Sequence, residues 1–209
     1  MQSEHKFHSY VTVFTVMVMY FMIQRVAPLI NGYDIAKPVA AFISAVGIYN
    51  IFAKILLAIT RNWLWLKKHF LGASFVNGTW VGKFTNSNNE TIFTVEYFDQ
   101  TLNYLVIRGE AFRENGESYA QWLSKATHIN EPDGVLTYTY TCDKDEVKST
   151  MQGVCVFSFQ REAAHLPPLF MKGYSADLVD GVRDSNSETK VSDLLVPLQE
   201  AIRLAKEKA

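Results

Sequence analysis

Cysteine is scarce in this chain: its 209 residues hold two, Cys142 and Cys155. Two are too few to staple an extracellular domain, and left free they fit a reducing compartment; a disulfide between them stays open on sequence grounds. An excess of one charge is missing as well. The 20 Lys and Arg are matched by 21 Asp and Glu, a net charge of −1, so no global field recruits DNA, RNA or an anionic surface. The short motifs of common chemistry are also absent: a Gly-rich phosphate loop, Gly-x-Ser-x-Gly, His-Glu-x-x-His and Cys-x-x-Cys. Histidines stand scattered at His5, His8, His69, His128 and His165, so a metal site needs long-range convergence. Asp143, Asp145 and Glu146 read as solvated turn residues. No enzyme, catalytic residue, metal or cofactor is expected.

What the chain does have is two apolar runs near its N-terminus. Residues 7–23 contain no Asp, Glu, Lys or Arg, and residues 39–60 contain only Lys54. Both match the roughly 17–25 residues that a membrane-crossing helix needs. In hydrocarbon the backbone must bond to itself, so both are expected to be helical despite their Val, Ile, Thr and Phe. Trp63 and Trp65 follow as interfacial anchors do. Pro28, Asn31-Gly32 and Pro38 mark a turn between the runs. The plainer alternatives are two buried core helices or, for the first run, a signal peptide, against which no Ala-x-Ala pattern follows Ile23.

Two crossings place both flanks on one side of the bilayer. Lys6, Arg61, Lys67 and Lys68 lie on that side against Arg25 and Lys37 in the turn, an asymmetry that favours the cytoplasm. Lys54 is placed to snorkel. Ala40, Ser44 and Gly47 form a small-residue helix face on which copies of the hairpin are expected to pack.

The texture changes after residue 69, dividing the chain into 1–69 and 70–209. Aromatic and β-branched runs alternate with turn clusters, which predicts strands near 78–85, 91–98, 103–112, 119–128, 135–142, 152–160, 170–177 and 189–194. About eight antiparallel strands with no helix between them point to an up-and-down, lipocalin-like β-barrel, followed by a short helix at 197–206. Alternation sets Trp80, Gly82 and Phe84 on one face, Leu136, Tyr138 and Tyr140 on another, and Cys155, Phe157 and Phe159 on a third. Asn77 and Asn89 lie in glycosylation sequons that read equally as turn chemistry.

A barrel of this size is just wide enough for one small ligand. Aromatic walls with a few cations suit a planar anion, whose rings stack on Trp or Tyr and whose phosphates pair with Arg or Lys. Trp80, Arg108, Trp122, Lys125, Tyr138 and Tyr140 are the binding candidates. The plainer roles are core filling for the aromatics and exposed strand positions for Arg108 and Lys125.

Residues 70–209 open with Gly78-Thr79-Trp80-Val81-Gly82-Lys83-Phe84 and close near Gly173-Tyr174 through Asp177-Leu178-Val179-Asp180-Gly181. Two spans followed directly by such a domain resemble the two-transmembrane β-barrel effectors of bacterial cyclic-oligonucleotide-based antiphage signalling (CBASS). The order of parts carries the resemblance across nearly the whole chain; a Gly-x-Trp-x-Gly opening also occurs in lipocalin-like barrels. The resemblance implies a multi-pass protein of the inner membrane whose barrel faces the cytoplasm. That barrel would receive a cyclic oligonucleotide, expected to be a cyclic dinucleotide, made by an associated nucleotidyltransferase (CD-NTase). Binding would then drive self-association of the hairpins, disruption of the lipid bilayer and death of the host cell. No binding residue is matched to a family motif, so the six candidates rest on chemistry alone. The leading alternative is a membrane-tethered carrier or sensor of a small hydrophobic molecule, and a third is a scaffold with a solidly filled barrel.

Overall fold

The apolar runs are helices that extend past the apolar segments at both ends: α1 covers Gln2–Val26 and α2 covers Ala36–Asn62. The computed structural model describes residues 2–26, 36–86, 88–144, 147–179, 181 and 183–208, and the side chains among these except at 2–4, 26, 36–40, 42 and 147–149. The expected turn at Pro28 and Asn31-Gly32 lies outside the described residues, as do Asp145, Glu146, Asp180 and the side chain of Ala40. Pro38 corrects the sequence reading, because it falls inside the first turn of α2, where a missing N–H breaks no intrahelical bond.

Stretches His5–Arg25 and Ile43–Asn62 are long and apolar enough to cross a membrane, and only 11% and 6% of them is buried within the protein. That exposure removes the reading as buried core helices. Phe14 meets Phe52 edge to face, and His8 hydrogen-bonds Tyr49. A third helix, α3 at Leu64–Leu71, was not expected from the Trp63-Leu64-Trp65 run. It returns to the start of α1, with the Tyr10 hydroxyl 3.2 Å from His69 Nε2 and Phe7 against Phe70. Ser44 is half-buried, Gly47 and Lys54 are exposed, and nothing lies within 4 Å of where a Gly47 Cβ would stand.

The second unit, 72–209, is the expected closed barrel. Its strands are β1 (Gly78–Thr85), β2 (Thr91–Gln100), β3 (Leu105–Arg113), β4 (Ser118–Asn130), β5 (Val135–Lys144), β6 (Val147–Gln160), β7 (Phe170–Asp177) and β8 (Arg183–Ser192). Each pairs antiparallel with the next, and β8 returns to β1, so no edge is left open. One strand is displaced from its expected place: β8 begins at Arg183 rather than near 189. Its inward positions Asp184, Asn186, Glu188 and Lys190 are polar, so the apolar alternation that announces a strand is missing there.

The end of the barrel where the chain enters β1 and leaves β8 is filled. Val76, Trp80, Phe98, Ile107, Leu136, Phe157 and Met171 form one buried apolar cluster. The segment before β1 is tied across this end. Gln100 Oε1 accepts from the backbone N–H groups of Val76 at 2.7 Å and Asn77 at 3.1 Å, and its Nε2 donates to the Ser74 carbonyl at 2.8 Å. Asn77 is buried in this lock, its Nδ2 donating to the Asp193 carbonyl at 2.8 Å, which favours structural chemistry over the sequon reading. Outside the barrel, α4 (Leu198–Lys208) sets Ala201 and Ala205 against Val81, Val95 and Phe112.

Candidate functional site

Eight strands leave room for either filler or ligand, so the size of the inward residues decides which. At the end formed by the β1–β2, β3–β4, β5–β6 and β7–β8 connections, inward positions shrink to Gly82, Gly109, Ala111, Ala120, Gly153 and Ser175. A cavity of about 340 Å³ opens there. That is the low end of the 300–1,000 Å³ typical of small-molecule sites, enough for a compact ring-bearing ligand.

Glycines shape its walls by what they leave out. Gly109 sits between Glu96 on β2 and Trp122 on β4, and the Trp122 ring lies across it, 2.0 Å from where a Cβ would be. This lets Trp122 Nε1 reach over β3 and donate to Glu96 Oε1 at 3.1 Å. Gly82 sits likewise between Thr94 and Glu188, whose carboxyl crosses β1 to accept from Thr94 Oγ1 at 2.9 Å. Gly153 lets the Tyr140 ring lie flat over β6, toward Ser175.

Two glutamates therefore meet in the barrel interior. Glu96 and Glu188 are each 3% exposed, and both line the cavity. Glu96 Oε1 accepts from Trp122 and, at 2.9 Å, from the Tyr138 hydroxyl. The Oε2 atoms of both carboxyls are buried and have no hydrogen-bond partner among the described residues. Burial pushes the Glu96 pKa up to about 7, against the two donors that favour its charged form. Glu188 is raised well above the usual carboxylate range by burial and by the charge of Glu96, with Thr94 opposing. Burial and the neighbouring Glu96 also push the Tyr138 hydroxyl and the Cys155 thiol upward. Both cysteines are free and buried, which leaves the disulfide unformed.

The six residues expected from sequence divide between cavity, core and exterior. Trp122, Tyr138 and Tyr140 line the cavity. Trp80 instead belongs to the filled end, fully buried against Phe98 with its Nε1 donating to the Val76 carbonyl at 2.8 Å. Arg108 and Lys125 are corrected: both are exposed on the outer wall. Leu105, Ile107, Gly109 and Ala111 take the inward phase of β3, which turns Arg108 out. In β4 the register shifts between Ser124 and Ala126, so Lys125 is the extra residue of a bulge. Sequence reasoning missed Glu96 and Glu188. A signal for Glu96 was present, since it shares the inward phase of β2 with Ile92, Thr94 and Phe98.

No family model matches the chain, and neither does any curated protein. Among solved structures, a de novo designed fluorescence-activating β-barrel is similar, at 13% identity and a TM-score of 0.34, covering 57% of this chain and 96% of that one.

Proposed function

We propose that this chain is a membrane-tethered receptor whose barrel takes one small ring-bearing molecule into its cavity. The observation that carries this reading is a ring-lined space of about 340 Å³ at one end of a closed barrel whose other end is packed solid. A scaffold barrel would be filled throughout. The two helices ahead of it, long and apolar enough to cross a membrane, supply the tether; in this reading the protein is multi-pass and the barrel faces the cytoplasm.

A specific observation also favours the fuller reading as an antiphage effector. Trp122, Tyr119 and Tyr140 offer stacking surfaces for a base, and Lys144 sits among the cavity-lining residues, available to a phosphate. Occupancy would drive assembly only if the assembled state binds ligand more tightly, by about 1.4 kcal/mol for each tenfold shift. The test is to titrate the full chain in lipid nanodiscs with cyclic di- and trinucleotides alongside uncharged ring compounds, and to follow cross-linking in liposomes. Saturable binding of any of these supports the receptor, and ligand-dependent cross-linking with dye release supports the effector. Binding without assembly leaves a tethered carrier or sensor, and a cavity that admits nothing refutes the receptor.

A further inference from the structure

We infer that the cavity is built for a small planar organic cation of the amidinium or guanidinium class, with its N–H groups against Glu96 and Glu188 and its flat face on Trp122 and Tyr140. The inference rests on the receptor reading, gives that receptor its ligand chemistry, and stands against the cyclic-nucleotide ligand of the effector reading.

Charge is the first support. The cavity is lined by Glu96, Glu188, Asp177 and Asp184 against Lys144 alone among the described residues. A dianion entering this space meets carboxyl groups, whereas a cation meets counter-charges. The second support is the pair of buried Oε2 atoms without partners. A desolvated carboxyl oxygen is normally hydrogen-bonded, so these two oxygens call for partners that no described residue provides. Lys190, the inward-facing cation of β8 deeper in the barrel, is already engaged at 2.9 Å by Asp193 and lies over the Phe75 and Trp80 rings. The third support is shape. A planar N–H fork bonds carboxylates in charge-assisted pairs, and its face is attracted to aromatic rings. A metal ion fits less well, since no three His, Cys, Asp or Glu side chains converge among the described residues.

Protonation follows from the same packing. Glu96 faces Glu188 from β8, Tyr138 from β5, Cys155 from β6 and the indole of Trp122 from β4; Lys144, Asp177 and Asp184 stand elsewhere on the cavity lining. With no cation present, burial and mutual repulsion favour the protonated form of both carboxyls. A bound cation replaces the protons, so binding releases them and strengthens as pH rises through about 7.

The probe is benzamidine, protonated throughout this range, with benzamide and benzoate as uncharged and anionic analogues of the same ring. Full-length protein in detergent is titrated calorimetrically at pH 6 and pH 8, in buffers of different ionisation enthalpy. The expected result is benzamidine binding about tenfold tighter at pH 8 than at pH 6, with proton release. Both analogues should bind at least about tenfold more weakly, because neither offers a charge-assisted donor pair. Glu96→Gln and Glu188→Gln, each checked for an intact fold by circular dichroism, should weaken benzamidine and flatten its pH profile. Preference for benzamide, benzoate or cyclic di-AMP, or no benzamidine binding at millimolar concentration, overturns the cation. Preference for another probe leaves the receptor reading standing, and rejection of every probe removes both.

Discussion

Glu96 is the residue at which stability and ligand chemistry meet. Its folded pKa of about 7 lies above the ordinary 4.5, so the folded state holds a proton that the unfolded chain releases. Stability is therefore fully present below about pH 4.5 and is lost as pH rises toward 7, by on the order of 3 kcal/mol. Glu188, whose pKa is also raised by burial and by the charge of Glu96, adds to the loss in the same direction. Glu96→Gln is expected to flatten this dependence and to melt above the wild type at pH 8 but not at pH 5, as read by thermal unfolding of the ligand-free protein. Gly109→Ala tests the wall beside it. The new methyl would fall on the Trp122 ring and lift the indole off Glu96, destabilising the barrel by about 1–3 kcal/mol and weakening ligand binding together. Arg108, pointing outward, gives the opposite expectation: Arg108→Ala leaves affinity for any cavity ligand unchanged within error.

Elements differ in how plainly the sequence announces them. β1 and β7 occupy the expected residues, Gly78–Thr85 and Phe170–Asp177. β8 is half hidden, since the part of it facing the cavity carries Asp184, Asn186 and Glu188 where a core strand would carry apolar side chains. The rule that finds strands thus fails where the barrel stops being core. Inward phase was legible from the Trp80, Tyr138 and Cys155 faces but not on β3, where Arg108 shares its phase with Val106 and Phe112, and the bulge in β4 at Lys125 cannot be read from composition. Among the helices, α2 presents Gly47 with open space around it. Gly47→Leu is therefore expected to leave the fold and ligand affinity intact while reducing cross-linking between copies in liposomes, by blocking close helix approach. On the barrel wall, Ala201→Leu in α4 overpacks the contact with Val81 and Val95 and should lower stability by about 1–3 kcal/mol without altering the cavity.

At the scale of the whole molecule, the division into two apolar helices and a closed barrel was legible throughout, because each half follows from a solvent requirement. The site was legible only in part. Three of its aromatics, Trp122, Tyr138 and Tyr140, stand out by type and phase, whereas the void between them depends on which large side chains fall beside a glycine of the neighbouring strand. Such juxtaposition appears only once register is set, and it turns a generic barrel into one with an acidic, ring-lined chamber. The central claim is that ligand enters this chamber. Calorimetric titration of the full-length protein beside Ala111→Phe, whose ring would occupy the space that Ala111 lines, tests it most directly. Binding heat in the wild type and none in the folded variant is the predicted result. Equal heat from both would contradict the account, because the ligand would then sit somewhere other than inside the barrel.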